Sequence, residues 1–291
     1  GARGPEAFTR ARQTLIKLQA HDPETFAVWQ RIADVTMTVC IQTCRRLHVN
    51  VTAEHSAGES SYASELPAMV DDLVKRGIAE ESEGALVVRL EESEYGAIRE
   101  PCLVRKSDGG YLYATTDIAA IRRRVQKLLG ERLVYAIDAR QSLHMKQVFG
   151  ASRKAGYARN PVTGSDAVME HAAFGAILGD DGRPFKTRSG ENVKLADLLD
   201  ETAARALAAV KLRSPNLPEG EAKTIAEAVG MAALKYADLA NDRIKDYVFS
   251  FDRMLAFEGN TGPYLLYALV RIRNIFRKAA AKGGGLMGAL G

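Results

Sequence analysis

The chain has 291 residues, of which 46% are hydrophobic and 26% are charged, and its formal net charge is +4. These values exclude a disordered or collagen-like chain, and the length is sufficient for about two domains. No apolar run of roughly 18 residues is present and no secretory signal is visible, so we expect no membrane span. The three cysteines, Cys40, Cys44 and Cys102, are too few for a disulfide framework and indicate a reducing, cytoplasmic location.

The first part of the chain is predicted to be mainly helical. Asp22 and Pro23 form a helix start, because Asp caps the first turn and Pro presets its backbone. Apolar residues then recur at helical spacing over residues 26–47. Cys40 and Cys44 belong to this stripe, and we expect them to pack in a core rather than to bind a metal.

A second helix is predicted over residues 66–76, because apolar residues recur on one face and Gly77 provides a helix C-cap. An extended run follows over residues 85–90. The middle of the chain then alternates between strands and helices, an order that predicts a parallel α/β sheet. The predicted strands cover residues 102–106, 111–115, 133–137 and 172–178, with a hairpin turn over 107–110 and helices over 117–129 and about 143–155.

The last third is predicted to be helical again. Two apolar stripes, over residues 195–210 and 225–239, are separated by a proline-rich linker, and a final helix covers about 263–281. Residues 259–291 contain basic but no acidic side chains. This end could contact a phosphate backbone, and a solvated helix face is an equally weighted alternative.

Two groups of polar residues have chemical potential. The segments 113–117 and 138–147 each follow a predicted strand, and ligands bind at the carboxyl ends of parallel strands. A carboxylate at this edge can hold a guanidinium or ammonium group. The loop 186–190, which contains Lys186 and Arg188, could hold a polyphosphate, although a solvated loop is the alternative.

Taken in order along the chain, several blocks resemble arginyl-tRNA synthetases, the class I enzymes that activate arginine with ATP and load it onto tRNA. The resemblance covers nearly the whole chain. The blocks are GESSYASELP (58–67), DGGYLYATTDI (108–118), YAIDARQ (135–141), HAAFG (171–175), GRPFKTRSG (182–190), KLADLL (194–199) and FEGNTGPY (257–264).

The resemblance implies a role for each matching residue of the amino-acid site. Tyr113 and Asp117 correspond to an arginine-binding pair in which Asp117 takes the cationic group, and Gln141 corresponds to a third arginine contact. Recognition of arginine rather than lysine requires a planar, bidentate site. His144 and Gln147 lie in the segment that is similar to the helix beside the ATP adenosine.

The resemblance also implies that Lys186, Thr187, Arg188 and Ser189 form a KMSKS-like loop that steadies the ATP triphosphate, with Lys186 and Arg188 as the catalytic cations. No lysine stands at the first position of that signature, which is Pro184 or Phe185. The implied cosubstrate is ATP with Mg²⁺, and no metal is expected to be held by the protein itself. The implied partners are arginine and tRNA-Arg, and the implied assembly is a monomer.

The implied fold is α/β, namely the second half of a class I Rossmann-like nucleotide-binding fold with a mainly helical insertion before it and helices after it. Residues 1–95 are expected to be the insertion. Residues 96–205 are expected to be the catalytic half with the KMSKS-like loop. Residues 206–291 are expected to be a connecting region and the start of a helical anticodon-binding domain.

The class I signature His-x-Gly-His is missing, because no two of the five histidines stand three positions apart. We therefore expect an internal fragment that lacks this half of the nucleotide fold and most of the anticodon-binding domain. The predicted function is that of an arginine–tRNA ligase, with doubtful activity for this chain alone. The alternative is a non-catalytic paralogue or fragment that binds arginine or tRNA.

Overall fold

The structure of the chain is a computed structural model. It describes most of the sequence, namely residues 4–19, 22–92, 95–179, 181–183 and 194–281. Within these ranges, no helix has both the length and the apolar character needed to cross a membrane.

Contacts between residues divide the chain into two compact units that interleave along the sequence. The helical unit comprises residues 1–56, 193–236 and 252–291. The mixed unit comprises residues 57–192 and 237–251, and it contains every strand that the structure describes. The functional division at residues 95 and 205 stays a prediction.

The elements follow one another in the order α1 (Pro5–Gln19), α2 (Pro23–Arg46), α3 (Leu66–Lys75), β1 (Glu80–Ser82), β2 (Ala85–Leu90), β3 (Ile98–Arg105), α4 (Tyr113–Arg122), β4 (Arg132–Tyr135), α5 (Ser142–Lys154), β5 (Val168–His171), β6 (Ile177–Leu178), α6 (Leu195–Arg213), α7 (Glu219–Leu239), β7 (Tyr247–Val248), α8 (Phe251–Met254) and α9 (Gly262–Ala281). A 3₁₀ segment, Glu59–Glu65, precedes α3, and another, Ala139–Gln141, precedes α5. A π-helical turn, Arg123–Lys127, extends α4.

Helix α2 begins where the sequence predicted, because the Asp22 carboxylate accepts hydrogen bonds from the Thr25 amide at 3.0 Å and from the Thr25 hydroxyl at 2.7 Å. The expectation that Cys40 and Cys44 pack in a core is wrong, since Cys40 is exposed and Cys44 is only partly buried. The partly buried residues of α2 lie along one side of the helix and include Ile41, and Cys40 lies next to this side. Periodicity predicts an apolar face, but burial also requires a neighbouring element that covers it.

The apolar stripe predicted for α6 is largely confirmed, since Leu199, Ala206 and Val210 are buried, but α7 buries small residues where the sequence predicted large ones. Ile225 and Leu239, both assigned to the inward stripe of α7, are 42% and 75% exposed. The buried face of α7 includes Ala222, Ala226 and Gly230 instead. A Cβ built on Gly230 would lie 3.2 Å from a methyl group of Thr202 on α6. Close approach of the two helices therefore requires small side chains.

The core of the mixed unit lies between α3, α4, α5 and the antiparallel sheet β1-β2-β3. The predicted helix over 66–76 is confirmed, since α3 buries Leu66, Met69, Val70 and Leu73, and Gly77 follows it with φ of +67°. The predicted extended run over 85–90 is confirmed as β2. An antiparallel sheet needs to bury one of its two faces, and the helices cover that face.

Two parallel strand pairs complete the mixed unit. β4 pairs with β5 from Arg132↔Val168 to Tyr135↔His171, and β6 pairs with β7. The predicted strand over 133–137 and the helix over 143–155 are confirmed as β4 and α5. The mixture of helices with parallel strands agrees with the predicted α/β class.

The predicted strand over 111–115 is wrong, because Tyr113 begins α4. The turn over 107–110 therefore joins β3 to a helix and not to a second strand of a hairpin. The Thr115 hydroxyl donates to the carbonyl of Val104 at 2.7 Å and accepts from the Leu112 amide at 3.2 Å. These bonds cap α4 and fix it on β3, and they override the strand preference of a Tyr- and Thr-rich run.

The predicted strand over 172–178 is also wrong for most of its length, because β5 ends at His171 and β6 covers only Ile177–Leu178. Between them, the Gly175 amide donates to the carbonyl of Arg243 at 2.9 Å. A Cβ built on Gly175 would lie 2.6 Å from the carbonyl carbon of Lys245. The glycine thus permits the backbone at residue 175 to pass close to the backbone at Lys245.

This crossing predicts that Gly175→Ala destabilises the mixed unit by about 1–3 kcal/mol, because the backbone at Lys245 must move away. Chemical denaturation followed by circular dichroism measures the change. Gly220→Ala is the matched control, since a Cβ at Gly220 meets open space. The control is expected to be neutral or slightly stabilising, because Ala favours helix over Gly. Equal stability of both variants would contradict the close crossing.

Candidate functional site

A cavity of about 690 Å³ lies in the mixed unit. Its wall is formed by the 3₁₀ segment Glu59–Glu65, by β3, by the first turns of α4 and by the start of α5. The cavity brings together the residues that the sequence assigned to the amino acid and to adenosine. They are Tyr113, Asp117, Gln141, His144 and Gln147.

The carboxylate of Asp117 is joined to His144 at the centre of this wall. Asp117 lies on the second turn of α4 and His144 on the first turn of α5, and the distance from Oδ2 to Nε2 is 2.7 Å. This is a hydrogen-bonding distance, and the tautomer of His144 that carries its hydrogen on Nε2 donates to the carboxylate. The side chains remain 37% and 30% exposed, which leaves them accessible from the cavity.

Gln147 connects α5 to β3. Its side-chain amide donates to the carbonyl oxygens of Glu100 at 3.1 Å and of Pro101 at 3.2 Å. The amide oxygen of Gln147 is therefore the atom that can accept a hydrogen bond from a ligand.

Gln141 ends the 3₁₀ segment that links β4 to α5. The segment begins at Asp138, whose carboxylate accepts from the Arg140 amide at 2.8 Å and from the Arg140 guanidinium at 2.7 Å. The hydrogen bonds of the Arg140 side chain and then of its backbone lower the pKa of Asp138 to about 2. The charge of Asp138 thus serves to fix the turn, and Gln141 is the side chain of this segment that lines the cavity.

Two further residues define the character of the wall. The ring of Tyr113 is 71% exposed at the start of α4. The thiol of Cys102 is buried, and this burial, followed by the charge of Asp117, raises its pKa to about 12. Cys102 therefore stays protonated and contributes an apolar surface.

Glu59 is a cavity residue that the sequence reasoning missed. It lies in the block 58–67 that carries the resemblance, but no role was assigned to it. Its presence gives the cavity a second carboxylate besides Asp117. Among the described residues, no lysine or arginine lines this cavity, so its charged groups favour a cationic ligand.

The 3₁₀ segment that carries Glu59 is anchored to α4 through Glu65. The Glu65 carboxylate accepts from Arg122 at 3.2 Å and from Arg123 at 2.8 Å. The Arg123 guanidinium also lies 3.9 Å from the ring centre of Tyr62 in the same segment. Partial burial acts to raise the pKa of Glu65, but the hydrogen bonds from Arg123 and Arg122 outweigh it and hold the pKa below its ordinary value.

The polyphosphate residues predicted from the sequence are Lys186, Thr187, Arg188 and Ser189. They lie outside the residues that the structure describes. The described chain resumes at Lys194, immediately before α6. Their placement relative to the cavity stays a prediction.

Residues 4–251 match the family model described as tRNA synthetases class I (R), catalytic domain. The chain belongs to the class I arginyl-tRNA synthetase family. The resemblance drawn from the sequence blocks is thereby confirmed. The cavity described above, with the carboxylates of Asp117 and Glu59, lies within the matched range.

Sequence identity to curated proteins supports the family assignment. The chain is 49% identical over 276 residues to the arginine–tRNA ligase of Hahella chejuensis, with 94% of the chain and 47% of the relative covered. It is 48% identical over 275 residues to that of Azotobacter vinelandii, with the same two coverages. The chain spans about half the length of the curated relatives it matches.

Solved structures confirm the fold. The arginyl-tRNA synthetase of Plasmodium falciparum superposes with a TM-score of 0.78 at 28% identity, covering 94% of this chain and 44% of that one. The Thermus thermophilus arginyl-tRNA synthetase gives a TM-score of 0.73 at 21% identity, covering 95% and 50%. The predicted fold class, α/β in the class I synthetase arrangement, is therefore correct.

The anchor at Glu65 leads to a stability prediction. Glu65→Gln is expected to cost about 1–2 kcal/mol at neutral pH, because two partly buried guanidinium groups lose a charged acceptor. The pKa of Glu65 is below its ordinary value of 4.5 in the folded chain, so this stabilisation is present above that value and is lost as the pH falls through the folded pKa. Urea unfolding at neutral and acidic pH measures the difference.

The control for this prediction is Glu219→Gln. Glu219 pairs with Lys211 at 2.8 Å, but its side chain is 59% exposed, so we expect no measurable change. A Glu65→Gln chain that is as stable as the control at neutral pH would contradict the anchoring role.

Proposed function

We propose that this chain carries the arginine site and part of the ATP site of an arginine–tRNA ligase. The enzyme joins the carboxylate of arginine to the α-phosphate of ATP with release of pyrophosphate, and then transfers the arginyl group from the adenylate to tRNA-Arg with release of AMP. The observation that carries this proposal is the charge of the cavity. Asp117 and Glu59 contribute two carboxylates to its wall, and no lysine or arginine lines it among the described residues. Family membership supports the same function.

The arginine side chain has two features that this cavity can match. Its guanidinium is planar and permanently charged, and carboxylates accept its hydrogen bonds in pairs. Asp117 and Glu59 supply the acceptors, and Gln141 supplies an amide that can hydrogen-bond to the same ligand. Tyr113 supplies a polar contact and an aromatic wall. The aliphatic stem of arginine can pack against apolar side chains of the cavity, which include Leu103, Leu112 and Ile137.

Two groups of residues are proposed to bind the nucleotide, one beside the adenosine and one at the triphosphate. His144 and Gln147 are proposed to lie beside the adenosine. Lys186, Thr187, Arg188 and Ser189 are proposed to bind the triphosphate, with Lys186 and Arg188 neutralising its charge as pyrophosphate leaves. Adenylyl transfer depends mainly on positioning and charge neutralisation, which such side chains provide. Mg²⁺ is proposed to accompany ATP.

The wider assignments are also proposals. Residues 1–95 are proposed to be an insertion, 96–205 the catalytic half, and 206–291 a connecting region with the start of an anticodon-binding domain. We propose that the chain works in the cytoplasm, on tRNA-Arg, as part of an enzyme that is a monomer.

The arginine site leads to a direct test. Asp117→Asn is expected to weaken binding of L-arginine to the chain by about 10- to 100-fold, because a charged acceptor of the guanidinium is replaced by a neutral amide. Isothermal titration calorimetry at pH 8 measures the dissociation constant. Glu59→Gln is expected to weaken binding in the same direction.

Asp166→Asn is the matched control, since Asp166 is a half-exposed carboxylate away from the cavity whose partner, Arg159, is 3.8 Å distant. Its arginine affinity is expected to equal that of the wild type. Unchanged affinity in Asp117→Asn would reject the role of Asp117. A chain that binds tRNA but no arginine would favour the non-catalytic alternative.

A further inference from the structure

The central carboxylate of the cavity already has a protein partner. The sequence assigned His144 to the adenosine, but the structure places its Nε2 2.7 Å from Oδ2 of Asp117. In the part of the chain that the structure describes, Oδ1 of Asp117 has no donor from the protein. The imidazole thus occupies one oxygen of the group that is proposed to receive the guanidinium.

We infer that His144 is a positioning residue of the arginine site: its neutral ring holds the Asp117 carboxylate for arginine, and its protonated ring opposes arginine binding. This inference rests on the proposed function. It gives His144 a role at the arginine carboxylate in addition to the proposed place of its segment beside the adenosine.

The neutral ring favours binding because it fixes the carboxylate before the ligand arrives. A side chain that is held by a hydrogen bond loses less conformational entropy when it binds a ligand. Oδ1 then stays available to the guanidinium, and Oδ2 can accept a second hydrogen bond beside that of the ring. In metal sites, loss of a partner that orients a ligand residue typically lowers metal affinity by roughly 10- to 100-fold. We expect a change of similar size in arginine affinity here.

The protonated ring opposes binding for an electrostatic reason. An imidazolium would form an ion pair with Asp117 and place a positive charge where the guanidinium must also lie. The imidazolium and the guanidinium would both lie beside the same carboxylate and would repel each other. Partial burial weakens the screening of this repulsion by water and salt. Arginine and a proton therefore compete, so arginine binding at acidic pH must release a proton.

The other ionisable groups around this histidine are of different chemical types. Glu59 on the 3₁₀ segment and Asp117 on α4 are the two carboxylates that line the same cavity. Cys102 on β3 has its pKa raised to about 12, and Tyr113 on α4 is a phenol. Histidine is the side-chain type that changes charge between about pH 5 and 8.

Asp117 also lines a second cavity, whose other residues include Arg124 and Tyr135. The Arg124 guanidinium keeps its charge throughout the range in which histidine titrates. Burial raises the pKa of Tyr135, so this phenol stays neutral there. Neither group can produce a change in arginine affinity between pH 8 and pH 5.5.

The test measures L-arginine binding to the chain by calorimetry at pH 8 and at pH 5.5, at constant ionic strength. The wild type is expected to lose about tenfold in affinity at the lower pH, which is within the usual range of coupling between two ligands. Titrations near pH 6 in buffers of different ionisation enthalpy are expected to show net proton release.

Three variants separate positioning from general structure. His144→Ala is expected to bind arginine about tenfold more weakly at pH 8, because the carboxylate is no longer held. His144→Gln keeps an N–H donor without a titrating ring, so it is expected to restore most of that loss and to show no proton release. His55→Gln changes a histidine of the helical unit and is expected to keep the wild-type pH profile.

Each contrary outcome has a defined meaning. Proton release that persists in His144→Gln, or arginine affinity that is unchanged in His144→Ala, would overturn the inference while the proposed function stands. Loss of ATP affinity with unchanged arginine affinity in His144→Ala would assign the ring to the adenosine and also overturn it. Failure of the wild type to bind L-arginine at pH 8 would overturn the proposed function and the inference together.

Discussion

The buried hydrogen bond from the Thr115 hydroxyl to the carbonyl of Val104 determines where the site lies, because it fixes the start of α4 on β3. Helix α4 then presents Tyr113 and Asp117 to the cavity. At its other end it presents Arg122 to Glu65, which anchors the segment that carries Glu59. One helix thus positions both carboxylates of the cavity wall.

The charges of the mixed unit are distributed in a way that leaves these two carboxylates for a ligand. Glu65 is held by Arg122 and Arg123, and Asp138 is held by Arg140. These acids have arginine partners from the chain and stabilise its fold. Asp117 instead has a histidine as its partner, which can be neutral at physiological pH and does not cancel the carboxylate charge.

The sequence predicted the membership of the site better than its local structure. Resemblance to a family brought Tyr113, Asp117 and His144 into one hypothesis, and the structure places them in one cavity, although their individual roles stay predictions. The strand expected over 111–115 is a helix, because a tertiary bond from Thr115 outweighs the local strand preference. This bond joins a helix to the preceding strand through two residues 11 positions apart, and it leaves no periodic signal in the sequence.

The remaining misses have related causes. Glu59 was missed because a single acid in a short 3₁₀ segment has no motif of its own, and its place in the cavity depends on the distant pair between Glu65 and Arg123. The inward face of α7 was misjudged because hydrophobicity predicts large residues inside. The helices approach closely enough to require Ala226 and Gly230 there.

The most direct measurement compares binding of L-arginine and L-citrulline to the chain by calorimetry at pH 8. Citrulline replaces the guanidinium with a neutral ureido group of similar shape, so the comparison isolates the charge that Asp117 and Glu59 are proposed to recognise. L-Arginine is expected to bind, and L-citrulline is expected to bind at least about tenfold more weakly. Equal affinity for the two amino acids would contradict recognition of a cation by this cavity.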